Sequence, residues 1–210
     1  MRGSLKKLFR VVILGALSTG LGLSAAAQSQ QPLKLVQTIE MPGVTGRIDH
    51  MAADVKGNRL FVAALGDDQN TVEVIDLKSG KRVSSIRGQS KPQGVFYSSA
   101  LNRLFVANGT DGTCKIFDGD TFKLIDSLPI GTDADHVGYD PATQYLYIGV
   151  DDAKSGALSI IDTKTNKHVG DIKTNGRPGG IKIEQSRPEI FVTLAGATKL
   201  GLGARPRFSI

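Results

Sequence analysis

Residues 59–64 read RLFVAA, residues 103–108 RLFVAN, residues 145–150 YLYIGV and residues 189–194 EIFVTL. Aligned on their second positions, Leu60, Leu104, Leu146 and Ile190, the four stretches lie 44, 42 and 44 residues apart. A second anchor keeps the same period. Val74-Ile-Asp76, Ile116-Phe-Asp118 and Ile160-Ile-Asp162 end in aspartates 42 and 44 residues apart. Two independent anchors with one spacing mark an internal repeat, and a repeat outranks local propensity in deciding a fold.

Each unit reads as four short strands. In the first unit these cover about 50–55, 59–65, 71–77 and 81–87. They are rich in Val, Ile, Phe and Thr, with Gly, Asp, Asn and Ser between them. Beyond the N-terminal region no segment carries a sustained helical period. Four strands on a repeat of about 40–50 residues predict an all-β chain folded as a β-propeller. Glycine, 25 of 210 residues, exceeds the usual ~7%, as a fold with many tight turns requires.

A third feature recurs between the third and fourth strands: Asp76-x-x-Ser79-x-Lys81, Asp118-x-x-Thr121-x-Lys123 and Asp162-x-x-Thr165-x-Lys167. An Asp there can accept backbone N–H bonds across the turn. Its repetition in three units favours turn closure over catalysis, which needs one carboxylate in a special environment.

The stretches GRIDHMAADVKGNRLFVAALG (46–66), VEVIDLKSGKRVSSIRG (72–88) and KPQGVFYSSALNRLFVANGTDG (91–112) resemble the YVTN-repeat β-propeller family of exported bacterial proteins. The resemblance covers about residues 33–195. It implies a ring most often of seven blades, of which about three and a half are present, and it specifies fold far better than function. The chain has no Trp, so the Trp-Asp dipeptide of WD-repeat propellers is absent.

The ends read differently from the repeats. Arg2, Lys6, Lys7 and Arg10 precede an apolar run over 11–23 and a small-residue site at 24–27. That order predicts a signal peptide over 1–27 and a periplasmic or secreted protein, with no membrane span once the leader is removed. Repeats are expected over 28–199, as blades at about 48–91, 92–133, 134–177 and an incomplete 178–199. Residues 200–210 read as an irregular tail. Pro206 stands where a third strand would end, and Pro cannot donate a ladder bond. Leu33–Glu40 resembles a fourth strand that precedes any first strand, as though it completed a last blade.

The leader also accounts for most of the positive charge. It holds four of the 26 basic residues and none of the 20 acidic ones, so its removal leaves 22 against 20, a net of +2. That balance argues against a nucleic-acid partner. The single Cys114 lies in the alternating run TCKIFD (113–118) and is expected to be buried or half-buried.

Candidate chemistry sits ten residues before each anchor, at His50, Gly94, His136 and Gly180. Asp49, Gln93, Asp135 and Gly179 precede them. Asp-His therefore recurs at the start of the innermost strand in the first and third blades. Asp49, His50, Asp135 and His136 should face one mouth of the central channel, near Arg47 and Asp133, as a ligand-binding site. The competing structural role is capping of each blade, and the separation of the first and third blades argues against one shared ion. No zinc-ligand spacing, haem motif, phosphate loop or nucleophile elbow is present. No catalytic residue, metal or cofactor is therefore assigned. His168 is expected on the solvated outer edge.

These features favour a non-enzymatic exported binding module whose partner is a protein, a cell-wall polymer or a small ligand. Two other functions remain open. One is a metal-assisted propeller lactonase or hydrolase with its site at the channel mouth. The other is a redox-associated subunit resembling quinoprotein dehydrogenases.

Overall fold

A computed structural model describes residues 33–66, 69–151, 155–187, 189–195 and 201–204. The leader at 1–27 and residues 205–210 of the tail lie outside the described residues, and with them the expected effect of Pro206. The described residues fold as a series of antiparallel sheets. The first blade is β1 (Arg47–Asp54), β2 (Arg59–Leu65), β3 (Thr71–Asp76) and β4 (Lys81–Ile86). The second is β5 (Pro92–Ser98), β6 (Arg103–Asn108), β7 (Thr113–Asp118) and β8 (Leu124–Pro129). The third is β9 (Val137–Asp140), β10 (Tyr145–Asp151), β11 (Gly156–Asp162) and β12 (Lys167–Thr174). The fourth is β13 (Pro178–Ile183), β14 (Glu189–Leu194) and β15 (Gly201–Ala204). In each blade strands pair in chain order, and β1 packs against β5, β5 against β9, and β9 against β13. Among the described residues no helix is long and apolar enough to cross a membrane.

The repeat motif supplies the core. Side chains alternate across a strand, so a sheet between two others must be apolar on both faces. Phe61, Val72 and Val74 of the first blade pack with Val95, Leu104 and Phe117 of the second. Phe105, Cys114 and Ile116 of the second pack with Leu146, Ile148 and Ile161 of the third. Tyr147 and Ile160 of the third pack with Ile181, Ile190 and Val192 of the fourth. The aromatic residue of one motif thus faces the Leu or Ile of the next.

The recurring aspartates close turns. Asp76 Oδ1 accepts a bond from Ser79 N at 2.6 Å, and Asp118 Oδ1 accepts from Thr121 N and Thr121 Oγ1, both at 2.8 Å. Asp162 Oδ1 accepts from Lys164 N at 2.9 Å. The bonds from Ser79 and Thr121 hold Asp76 and Asp118 below the usual carboxylate range. Gly80, Phe122 and Asn166 then adopt φ of 62°, 55° and 55°, the left-handed step that turns the chain into each fourth strand.

Two expectations are corrected. Residues 200–210 are not irregular throughout, because Gly201–Ala204 pairs with β14 through Val192↔Gly201 and Glu189↔Ala204. Ladder bonds come from the backbone, so GLGA can pair without apolar alternation. The fourth blade therefore reaches residue 204 instead of stopping at 199. Leu33–Glu40 forms no strand, and Leu33, Leu35 and Val36 are exposed. Sequence alternation alone does not make a strand: a strand needs a partner edge, and no sheet of the described residues includes Leu33–Glu40.

Cys114 is fully buried, and burial pushes its thiol up to about 12. Only the thiolate reacts readily. A disulfide reagent at pH 8 should therefore label Cys114 only as urea unfolds the chain. Labelling of the folded chain at the rate of a free thiol would contradict this placement.

Candidate functional site

A break of register in the innermost strands creates the site. Ile48 pairs with Ala64 and Met51 with Val62, so Asp49 and His50 together face Ala63. Pro92 pairs with Asn108 and Val95 with Val106, so Gln93 and Gly94 face Ala107. Pro178 pairs with Leu194 and Ile181 with Val192, so Gly179 and Gly180 face Thr193. In the third blade Asp135 N bonds Gly149 O, and Gly149 N bonds His136 O, each at 2.9 Å. Two residues against one is a β-bulge, which bends the strand and re-aims its side chains. Ala63, Ala107, Gly149 and Thr193 are the fifth residues of the four repeated stretches, and their small size leaves room for the bulge. Asp-His is therefore a bulge dipeptide in two of four equivalent places.

The structure brings the two Asp-His pairs together. The His50 and His136 rings meet edge to face with centroids 4.7 Å apart. His50 Nε2 stands 3.2 Å from Asp135 Oδ1 and 3.6 Å from Asp49 Oδ1. His136 Nδ1 stands 3.4 Å from Asp135 Oδ2. The expectation that the first and third blades hold these residues too far apart for one ion is corrected. The physical reason lies in the second blade. Gly94 stands where the other two blades carry His, and a Cβ there would fall 2.0 Å from Asp135 O. Its missing side chain lets the third blade's backbone close up. Gln93 then donates to Ala134 O at 3.0 Å and fixes the approach.

A second tier surrounds the bulges. Arg47, Lys91, Asp133 and Arg177 each precede their anchor by 13 residues. Arg47 pairs with Asp49 at 2.7 Å, Lys91 with Asp133 at 3.2 Å, and Arg177 with Asp133 at 2.7 Å and Asp135 at 3.5 Å. With Ile48 and Gln93, these residues line a polar hollow of about 480 Å³. Arg47 and Asp133 lie where the sequence placed them. Lys91 and Arg177 were missed, although their shared offset from the anchors was a readable signal.

Electrostatics organise the mouth around Asp135. Burial alone would raise its carboxyl, but the His50 contact, His136 and Arg177 together hold it below the usual carboxylate range. The neighbouring Asp135 carboxylate raises His50 above its ordinary value, against the effect of burial. Asp135 Oδ1 and His136 Nδ1 are nonetheless buried without a hydrogen-bond partner. The 3.2 Å contact from His50 to Asp135 is accordingly close but not aligned as a hydrogen bond. Asp135 and the two imidazoles present donor atoms within 4.8 Å of one another.

His168 is not simply solvated. Its Nε2 lies 2.9 Å from Ser159 Oγ and 3.0 Å from Asp171 Oδ1. Both partners address the same nitrogen, whereas in a catalytic triad the nucleophile and the orienting carboxylate stand on opposite nitrogens of the histidine. The trio ties β12 to β11.

No protein-family model matches the chain. Among curated proteins it is similar to the U3 small nucleolar RNA-associated protein 21 homolog of Schizosaccharomyces pombe (strain 972 / ATCC 24843), with 30% identity over 112 residues. The match spans 51% of this chain and 12% of that protein. Among solved structures, a chain of Kuenenia stuttgartiensis hydrazine synthase is similar with a TM-score of 0.60 and 17% identity, over 69% of this chain and 42% of that one. A chain of a nidogen/laminin complex gives 0.62 and 12%, over 75% and 60%. A chain of a mitotic checkpoint complex gives 0.65 and 15%, over 77% and 49%. This chain thus spans less than two thirds of each of these proteins. The likenesses show the fold: consecutive four-stranded antiparallel blades of the β-propeller class.

Proposed function

We propose that this chain is an exported propeller module of the YVTN type that binds a protein partner at the channel mouth. One observation carries this reading: ionisable residues from all four blades converge on a single hollow. They come from strands and their immediate flanks, and most are locked in ion pairs, so the surface is pre-organised for recognition. Its alternating charges suit a partner with complementary charges, which set specificity and association rate. The leader-like residues 1–27 and the YVTN-like blade motifs support the exported, bacterial form of this reading. Nidogen/laminin and mitotic checkpoint complexes among the structural neighbours agree with a protein partner.

Site-specific photo-crosslinking in cells tests the proposal. A photoreactive residue replaces Lys91, in the mouth, or Lys78, on the turn at the other end of the strands. A defined envelope-protein adduct is expected from position 91 and not from 78. Arg47→Glu with Arg177→Glu should reduce that adduct roughly tenfold, the effect of losing about 1.4 kcal/mol of binding. Equal adducts from both positions, or none, would defeat the reading. So would chelator-sensitive turnover of a lactone or ester by the purified chain, which would favour a hydrolase.

A further inference from the structure

We propose that His50, Asp135 and His136 form a site for one divalent transition-metal ion. This rests on the mouth being the binding face, and it names a ligand class for it. Two imidazoles and a carboxylate suit Zn²⁺ and its neighbours among the divalent metals. Three protein ligands also leave an open coordination position, through which an ion at the mouth could bind a further donor from solvent or partner.

The distances are close to those an ion requires. Metal–ligand bonds of roughly 2.1 Å in a tetrahedral site place donors about 3.4 Å apart. Asp135 Oδ1 already lies 3.2 Å from His50 Nε2, and Asp135 Oδ2 lies 3.4 Å from His136 Nδ1. All three donor atoms lie within 4.8 Å of one another. Both imidazoles are 35% exposed, so their rings have room to turn inward.

The polar accounting points the same way. Asp135 Oδ1 and His136 Nδ1 are buried and lack hydrogen-bond partners. A buried polar atom left unmatched is costly, and a cation between them would satisfy both. The neighbouring arginines pair more closely with other carboxylates. Arg177 lies closer to Asp133, at 2.7 Å, than to Asp135, at 3.5 Å. Arg47 is held by Asp49 at 2.7 Å. The donors also sit on bulged strands of a packed scaffold, which suits an ion site better than a free loop does.

Titration calorimetry of the chelator-stripped full chain with Zn²⁺ tests this, with Co²⁺ absorption as a second readout of nitrogen and oxygen ligation. One saturable ion per chain is expected. His50→Ala, His136→Ala and Asp135→Asn should each weaken binding by more than about tenfold. His168→Ala should leave it unchanged, because His168 contacts Ser159 and Asp171 instead. Circular dichroism establishes that each variant is folded. Absence of a saturable site in the wild-type chain overturns the proposal, as does wild-type affinity in folded His50→Ala and His136→Ala. If the adduct from position 91 persists while zinc does not bind, the ion is refuted and the binding face stands. If zinc binds and no adduct forms, the ion site stands and the protein-partner reading fails.

Discussion

Gly94→Ala is expected to lower the thermal midpoint by about 10 °C and to weaken Zn²⁺ binding at a site to which Gly94 contributes no atom. An alanine Cβ at residue 94 would lie 2.0 Å from Asp135 O and 2.6 Å from Val137 Cγ1. The first of these is backbone, so it cannot rotate away. Gly94 carries no positive φ, and the penalty is therefore steric and not conformational. Overpacking commonly costs 1–3 kcal/mol, and a backbone clash of this depth should cost about 3 kcal/mol. For a domain of this size each kcal/mol moves the midpoint by roughly 2–4 °C. Relief of the clash must push β9 away from β5 and carry Asp135 away from His50. Gly180→Ala is the internal control. It occupies the equivalent bulge position in the fourth blade, yet its Cβ would meet only Thr193 Oγ1 at 3.7 Å. Scanning calorimetry and zinc titration of both variants check the pair. Equal midpoints for the two would show that close approach of the second and third blades is not what assembles the site.

Gly94 also marks where the sequence stopped being readable. The 44-residue period exposed the blades because every repeat must bury the same faces, and burial writes itself into composition at fixed spacing. Asp76, Asp118 and Asp162 were legible as turn residues for the same reason, being local and repeated. The mouth depends on contacts between residues more than 80 positions apart, such as His50 with Asp135. Sequence placed both at strand starts but could not show a bulge, since a two-against-one register leaves no distinctive residue type. Nor could it show that a glycine between two histidines is what draws them together. Gly201–Ala204 was illegible in the opposite sense. Its ladder uses backbone groups alone, so side-chain pattern carried no signal. Arg59 and Arg103 open the repeated motif, and the repeat alone gives them no role. Arg59 donates to Gly119 O at 2.6 Å and Arg103 to Thr163 O at 3.2 Å, each on the next blade. The first residue of the second strand is thus a bridge between blades wherever it is arginine.

Arg59→Met should destabilise the chain by about 3 kcal/mol and weaken the pH dependence contributed by Asp54. Asp54 is buried, and its Oδ2 accepts bonds from Arg59 Nε at 2.9 Å and Nη2 at 2.8 Å. Its Oδ1 accepts from Gly57 N at 2.9 Å. The same guanidinium lies over Phe61 and Tyr97, 5.4 and 5.6 Å from their ring centroids. Methionine keeps part of the stem packing but leaves a buried carboxylate without its cation, a loss of 3–5 kcal/mol in buried pairs. The lower end applies because Arg59 is 17% exposed. In the wild-type chain burial raises the Asp54 carboxyl, but the Gly57 N–H and Arg59 together hold it below its ordinary value. A depressed carboxyl gives stability that is present above the unfolded value, about 3.9, and lost as pH falls through the folded value. Without Arg59 the Gly57 N–H still bonds the carboxylate, but less of the burial effect is offset and the carboxyl moves up toward its unfolded value. Less stability is then lost as pH falls. Urea unfolding of the two chains between pH 3 and 6 should therefore show a shallower pH slope for Arg59→Met than for the wild-type chain. Adding Asp54→Asn to Arg59→Met should recover part of the loss, because the uncompensated charge is gone while most of the side-chain shape remains. If the double variant were no more stable than Arg59→Met, the loss would lie in the aromatic stacking and the bond to Gly119, and the carboxylate would have no part in it.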